Sequence, residues 1–124
     1  MKIKLKDILQ INNILKAIIE NSEIKIDPLF KFKLLGIMKG IEIPINNFET
    51  IRNEKIRECG KENEEGNIFI PSDDKESIKK FSEEMEKVID SDVEVNIQKL
   101  SPSDVFDKGL PADYLIGLYP IIEE

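Results

Sequence analysis

An α+β fold is what this sequence predicts: a helical hairpin with a long kinked helix, packed with a small antiparallel sheet. Three observations lead there. Apolar and polar residues alternate with the period of a strand at the start of the chain and again over Asp92 to Gln98. Apolar residues recur every three or four positions over three longer stretches, the spacing of one face of a helix. Proline, glycine and capping residues punctuate the boundaries between these patterns.

In order, Met1-Lys2-Ile3-Lys4-Leu5-Lys6 reads as a half-buried strand whose lysines discourage edge pairing, and Asp7 as the cap of the helix after it. Ile8, Leu9, Ile11, Ile14, Leu15, Ile18 and Ile19 give an amphipathic helix over residues 8–20 that Asn21-Ser22 ends. Asp27-Pro28 starts a second helix, with Asp as cap and Pro at the first helical position, where a missing N–H costs nothing. Its core stripe of Leu34, Met38 and Ile41 keeps phase past Pro44 through Ile45, Phe48, Ile56 and Cys59. The spacing therefore predicts one long helix kinked near Pro44, or two nearly coaxial ones, with Gly60 as C-cap. Residues 61–67 form a polar turn and Ile68 to Pro71 a short strand. Asp73 with Glu76 resembles a capping box and opens a helix over residues 74–90, with Ile78, Phe81, Met85, Val88 and Ile89 as its buried positions. In the next strand Val93, Val95 and Ile97 share a face. Ser101-Pro102-Ser103-Asp104 begins a short helical turn stopped by Gly109. Pro111 to Pro120 is helical in pattern, with Leu115, Leu118 and Ile122 free to dock. The expected sheet combines residues 1–6, 67–71 and 92–99, all within a single domain of residues 1–124.

Composition excludes more than it assigns. The 124 residues contain no His, so Ser-His-Asp and Cys-His triads, His-containing metal sites and imidazole proton shuttles are all ruled out. The lone Cys59 cannot form an intrachain disulfide; beside Glu58 near a helix C-terminus it suits a small core residue better than a nucleophile. No apolar run approaches the ~20 residues of a membrane span, and no secretory leader is legible, which predicts a cytoplasmic protein. The net charge of −7 is unevenly spread: residues 1–40 carry eight lysines against four acids, whereas the remainder carries ten basic against twenty-one acidic residues. That asymmetry suits either a solvated basic face or a contact between subunits. With two arginines in the whole chain, nucleic-acid binding is disfavoured.

Chemical constellations are sparse. The loop Lys61-Glu62-Asn63-Glu64-Glu65-Gly66 lacks the first acid and the final bidentate Glu of a calcium loop, so neither a metal nor a cofactor is expected. Paired carboxylates such as Glu83 and Glu84 fall on a helix surface, and phosphate-binding glycine loops are absent. No catalytic residue is assigned, and the chain is read as a non-enzyme. The group that stands out is Arg52, Lys55, Arg57 and Lys61, four cations in ten residues of an otherwise acidic half, able in principle to hold a phosphate or carboxylate. Tyr114, with Phe106 and Tyr119, supplies aromatic surface on which a base could stack.

Phe48-Glu49-x-x-Arg52-x-x-x-Ile56-x-x-x-x-Gly60, Gly66-x-Ile68-x-Ile70, Phe81-x-x-Glu84-Met85 and Val93-Glu94-Val95 give the chain its family resemblance, together with Ser103-Asp104 and Leu110-Pro111-x-Asp113-x-Leu115-x-x-Leu118-x-Pro120-Ile121-Ile122. In these segments it resembles small uncharacterised accessory proteins of Gram-positive bacteriophages and prophages. The resemblance carries no catalytic residues. It implies action in the cytoplasm of a bacterial host, either as an anti-defence inhibitor or as a tail or head assembly chaperone. The inhibitor would bind a host immune protein or sequester a small anionic nucleotide. Two long amphipathic helices on a small sheet leave apolar surface to cover, so a homo-oligomer is expected.

Overall fold

The computed structural model describes residues 1–106 and 108–123 and is an α+β fold built on a helical hairpin. The chain opens with β1 (Lys2–Lys4), which passes directly into α1 (Leu5–Glu20). The strand is shorter than expected and the helix begins before Asp7, which lies in its first turn. The reason is local: the Leu5 N–H donates to the Ser91 carbonyl at 3.0 Å, so the helix start finds a partner without a side-chain cap.

After the turn at Asn21 comes α2 (Pro28–Cys59), one unbroken helix of 32 residues that carries Pro44 in its interior. Asp27 caps it as the sequence indicates, its Oδ1 accepting the Phe30 N–H at 2.8 Å. Gly60 does end α2, but its backbone is extended rather than left-handed. Glycine is required there for space, since a Cβ would stand 2.5 Å from the Ile56 carbonyl oxygen and 2.6 Å from that of Phe69.

The single expected sheet is instead two separate two-stranded antiparallel sheets. In one, β1 pairs with β4 (Asp92–Glu94), setting Lys2 opposite Glu94 and Lys4 opposite Asp92, so that unlike charges face each other across the ladder. In the other, β2 (Lys61–Glu62) and β3 (Ile68–Phe69) form a small hairpin of their own. The polar turn between them is organised by Asn63, whose Oδ1 accepts the N–H groups of Glu65 and Asn67, each at 2.9 Å. That engagement turns the side-chain oxygen inward and makes the acidic loop a hairpin turn.

Next, α3 (Lys75–Ile89) is capped by Asp74, not Asp73: its carboxylate accepts the Ser77 N–H at 3.2 Å and the Ser77 hydroxyl at 2.8 Å. Of the five positions expected to be buried on this helix only Met85 is; Phe81, Val88 and Ile89 are half-buried and Ile78 is exposed. Beyond β4 the backbone stays extended, with Val95 donating to the Met1 carbonyl at 2.9 Å. Residues 96–99 then run on without a backbone partner among the described residues. A short helix α4 (Pro102–Phe106), the left-handed Gly109, α5 (Ala112–Leu118) and a 3-10 turn over Tyr119–Ile121 finish the chain.

The core lies between α1 and α2. Ile8, Ile11, Leu15 and Ile18 of α1 meet Leu34, Ile37 and Ile41 of α2, and Leu100, Val105, Leu118 and Ile121 close over them. Two ion pairs fasten the C-terminal part to the first turns of α2: Lys33 to Asp104 at 3.1 Å and Lys108 to Asp27 at 2.8 Å. Leu100 and Ile122 form a parallel bridge that draws the end of the chain into the same core.

Candidate functional site

Arg52, Lys55 and Arg57 project from the last turns of α2, and Lys61 follows on β2. At 100° per residue, Arg52 and Arg57 point about 140° apart around the helix axis, so the two arginines serve different faces. Lys55 is half-buried and bonded to Glu58 at 3.0 Å; that hydrogen bond, with the charges of Glu58 and Glu84, holds its pKa above the ordinary lysine value. Lys61 lies close enough to Asp74 to help keep that carboxyl below the usual range, behind the larger effects of the Ser77 hydroxyl and N–H. These two cations thus already have carboxylate neighbours. Tyr114 is on α5, half-buried against the core in contact with α1, whereas the end of α2 meets α3 and β3. The structure does not bring Tyr114 together with the four cations. Tyr119 and Phe106 are exposed.

The concave surface lies along α2 instead. Beside Pro44 a groove of about 390 Å³ is lined by Gly40, Pro44, Phe48, Ile51, Val93 and Val95, among others. Each wall has a physical origin. Proline has no N–H to offer the carbonyl of Gly40, one turn back, so the helical hydrogen bond between these two residues is missing beside the groove. Gly40 has no side chain, which lets the extended segment cross α2 at this point: a Cβ would collide with the Ile97 Cγ2 and stand 3.2 Å from the Asn96 carbonyl oxygen. The incomplete cover of α3 leaves Val88 and Phe48 only half-buried on the far wall. On the other side of the Ile97 crossing, a smaller trough of about 180 Å³ runs past Phe32 and Gly36 towards Leu100.

A mainly apolar groove with Asn47, Glu94 and Asn96 as its polar lining residues is suited to seating apolar side chains of a partner. Its charged lining residue is Glu94, which the Met1 amine pairs at 2.8 Å, and neither lysine nor arginine lines it. Sequence periodicity misses it because its lining comes from three elements, although Pro44 and Gly40, two helix-unfriendly residues one turn apart, are the signal that marks the place. No helix among the described residues is long and apolar enough to cross a membrane. No protein-family model, characterised protein or solved structure matches the chain.

Proposed function

We propose that the chain is a non-enzymatic accessory protein that inhibits a bacterial host process by stoichiometric binding to a host protein, as its resemblance to phage and prophage proteins implies. The observation that supports this reading over nucleotide sequestration is the apolar groove beside Pro44, formed away from Arg52, Lys55, Arg57 and Lys61. A nucleotide sponge needs cations converging on an enclosed volume. A protein inhibitor needs a concave apolar surface with a few polar groups at its rim, and the groove has that composition.

The test is affinity capture from bacterial lysate by three proteins, each also examined by native mass spectrometry. The first is the unaltered chain, the second carries Asn47→Arg, which puts a long charged side chain at the groove mouth from an exposed position, and the third carries Arg52→Ala with Arg57→Ala. The expected result is one host protein bound at equal stoichiometry, retained by the arginine variant and weakened at least about tenfold by Asn47→Arg. Capture indifferent to Asn47→Arg overturns the groove. A bound small molecule of nucleotide size that disappears with the two arginines moves the function to sequestration.

A further inference from the structure

One wall of the groove is the edge of a sheet. The Val95 N–H donates to the Met1 carbonyl at 2.9 Å, and the Ser91 carbonyl accepts the Leu5 N–H at 3.0 Å. An antiparallel strand turns alternate residues to opposite sides, so Ser91, Val93 and Val95 bond towards β1, while the N–H and C=O groups of Asp92 and Glu94 point the other way. Among the described residues those groups meet no backbone partner. Asn96 shows where that side faces. Its carbonyl oxygen, turned to the same side, stands 3.2 Å from where a Cβ on Gly40 would be, so the edge looks across the groove at α2. A helix laid in the groove would cover Pro44, Phe48 and Ile51 but could not answer this edge, because its own backbone groups are bonded within it. An extended segment answers both walls.

We propose that the segment of the host protein seated in the groove is extended and adds antiparallel to β4 as the third strand of the β1–β4 sheet. This rests on the groove reading and deepens it to the shape and sequence pattern of the partner. On its other edge β4 already pairs with such a pattern: Lys2 and Lys4 lie across from Glu94 and Asp92, and the buried Ile3 across from Val93. An added strand meets the same two faces of β4. Its side chains opposite Val93 and Val95 fall on the groove side, against Pro44 and Phe48, and are apolar. Those opposite Asp92 and Glu94 stand beside carboxylates and are Lys or Arg. Asp92 makes no ion pair among the described residues, and Glu94 gives one carboxylate oxygen to the Met1 amine and keeps the other. The antiparallel direction is the more stable per residue, and it sets the N–H groups of the basic residues towards β4 and those of the apolar residues towards solvent.

The probe is a synthetic peptide, acetyl-Lys-Val-Lys-Val-Lys-amide, titrated into the isotope-labelled chain and followed by amide NMR. The expected result is a dissociation constant of roughly 0.1–1 mM, with hydrogen exchange slowed at the N–H groups of Asp92 and Glu94. N-methylation of the peptide at its central lysine keeps every charge and side chain but removes a donor facing β4, and is expected to weaken binding at least about tenfold. N-methylation at both valines is expected to leave affinity within about twofold. No binding, binding indifferent to the methyl on the lysine, or loss on methylation of the valines alone overturns the proposal. In the chain itself, Glu94→Pro and Glu94→Ala remove the same carboxylate, but only the proline removes the outward N–H, which an edge strand can spare. Host capture at least about tenfold weaker in Glu94→Pro than in Glu94→Ala is expected, with matching circular dichroism spectra. Capture that Asn47→Arg weakens but that is equal in the two Glu94 variants overturns the added strand and leaves the groove standing. Capture indifferent to Asn47→Arg, with the peptide still sensitive to methylation at lysine, overturns the groove as the host site and leaves the edge as a strand acceptor.

Discussion

Gly36 and Gly40 lie one turn apart on the same helix and answer the same substitution in opposite ways. At Gly40 an added methyl meets Ile97, so Gly40→Ala is expected to lower unfolding free energy by about 1–3 kcal/mol, as overpacking does. At Gly36 the space is open and only the backbone entropy of glycine is lost, so Gly36→Ala is expected to raise it by about 0.5–1 kcal/mol. Urea denaturation of the two variants side by side checks both. Aspartates 27, 74 and 104 make a further residue-scale prediction. Each is held below the ordinary carboxylate range: Asp27 chiefly by its bond from Lys108, Asp74 by the Ser77 hydroxyl, Asp104 by the Ser101 N–H. Their folded-state pKa values lie under the unfolded ones, so the stability they contribute is complete above about pH 4–5 and fades as pH falls through the folded values. Thermal unfolding followed from pH 8 to pH 2 is expected to show an acid limb that shrinks in Asp27→Asn. Asp27 was legible as a cap because Pro28 follows it. The choice of Asp74 over Asp73 was not, since it rests on which carboxylate reaches Ser77, a matter of backbone direction that adjacent identical residues cannot announce.

Pro44 gives the element scale its clearest experiment. Replacing it by Ala restores an N–H to the Gly40 carbonyl and removes a ring from the helix interior, and Pro44→Ala is expected to stabilise the chain by about 1–3 kcal/mol. The same change alters the groove wall that Pro44 forms, so a more stable protein with weaker partner capture is the expected combination. In contrast with α1, six of whose residues are buried, α3 buries Met85 alone. Amide hydrogen exchange is therefore expected to proceed through α3 by local opening well before α1 and the first half of α2 exchange. Helix existence was readable throughout, because Ile8, Ile11, Leu15 and Ile18 can share a face only at helical period. Strand partnership was not: alternation at Lys2–Lys4, Ile68–Phe69 and Asp92–Glu94 looks alike in sequence, and only the turn held by Asn63 tells β3 to pair with its neighbour β2 rather than join β1 and β4.

Across the whole molecule, the cationic cluster dissolves once the helix is drawn in three dimensions. Four basic residues in ten are close along the chain, yet Arg52 and Arg57 diverge around the axis and Lys55 turns to Glu58. Charge in this protein is organised instead along the length of α2 and across the β1–β4 ladder. The absence of histidine has a molecular consequence too: no side chain of ordinary pKa titrates between about pH 5.5 and pH 7, and thermal stability is expected to be flat across that interval.

The ladder that sets Ile3 beside Val93, and the bridge that sets Leu100 beside Ile122, also order events in time. A chain made at about 5–20 residues per second releases the α1–α2 hairpin several seconds before the segment that seals it. During that interval Ile11, Leu15 and Leu34 face water or a chaperone, because Leu118 and Ile121 have not yet been synthesised. Closing a loop of some ninety residues around β1 then becomes the slow step, and a protein made mostly of fast helices folds at the pace of its two most distant strands.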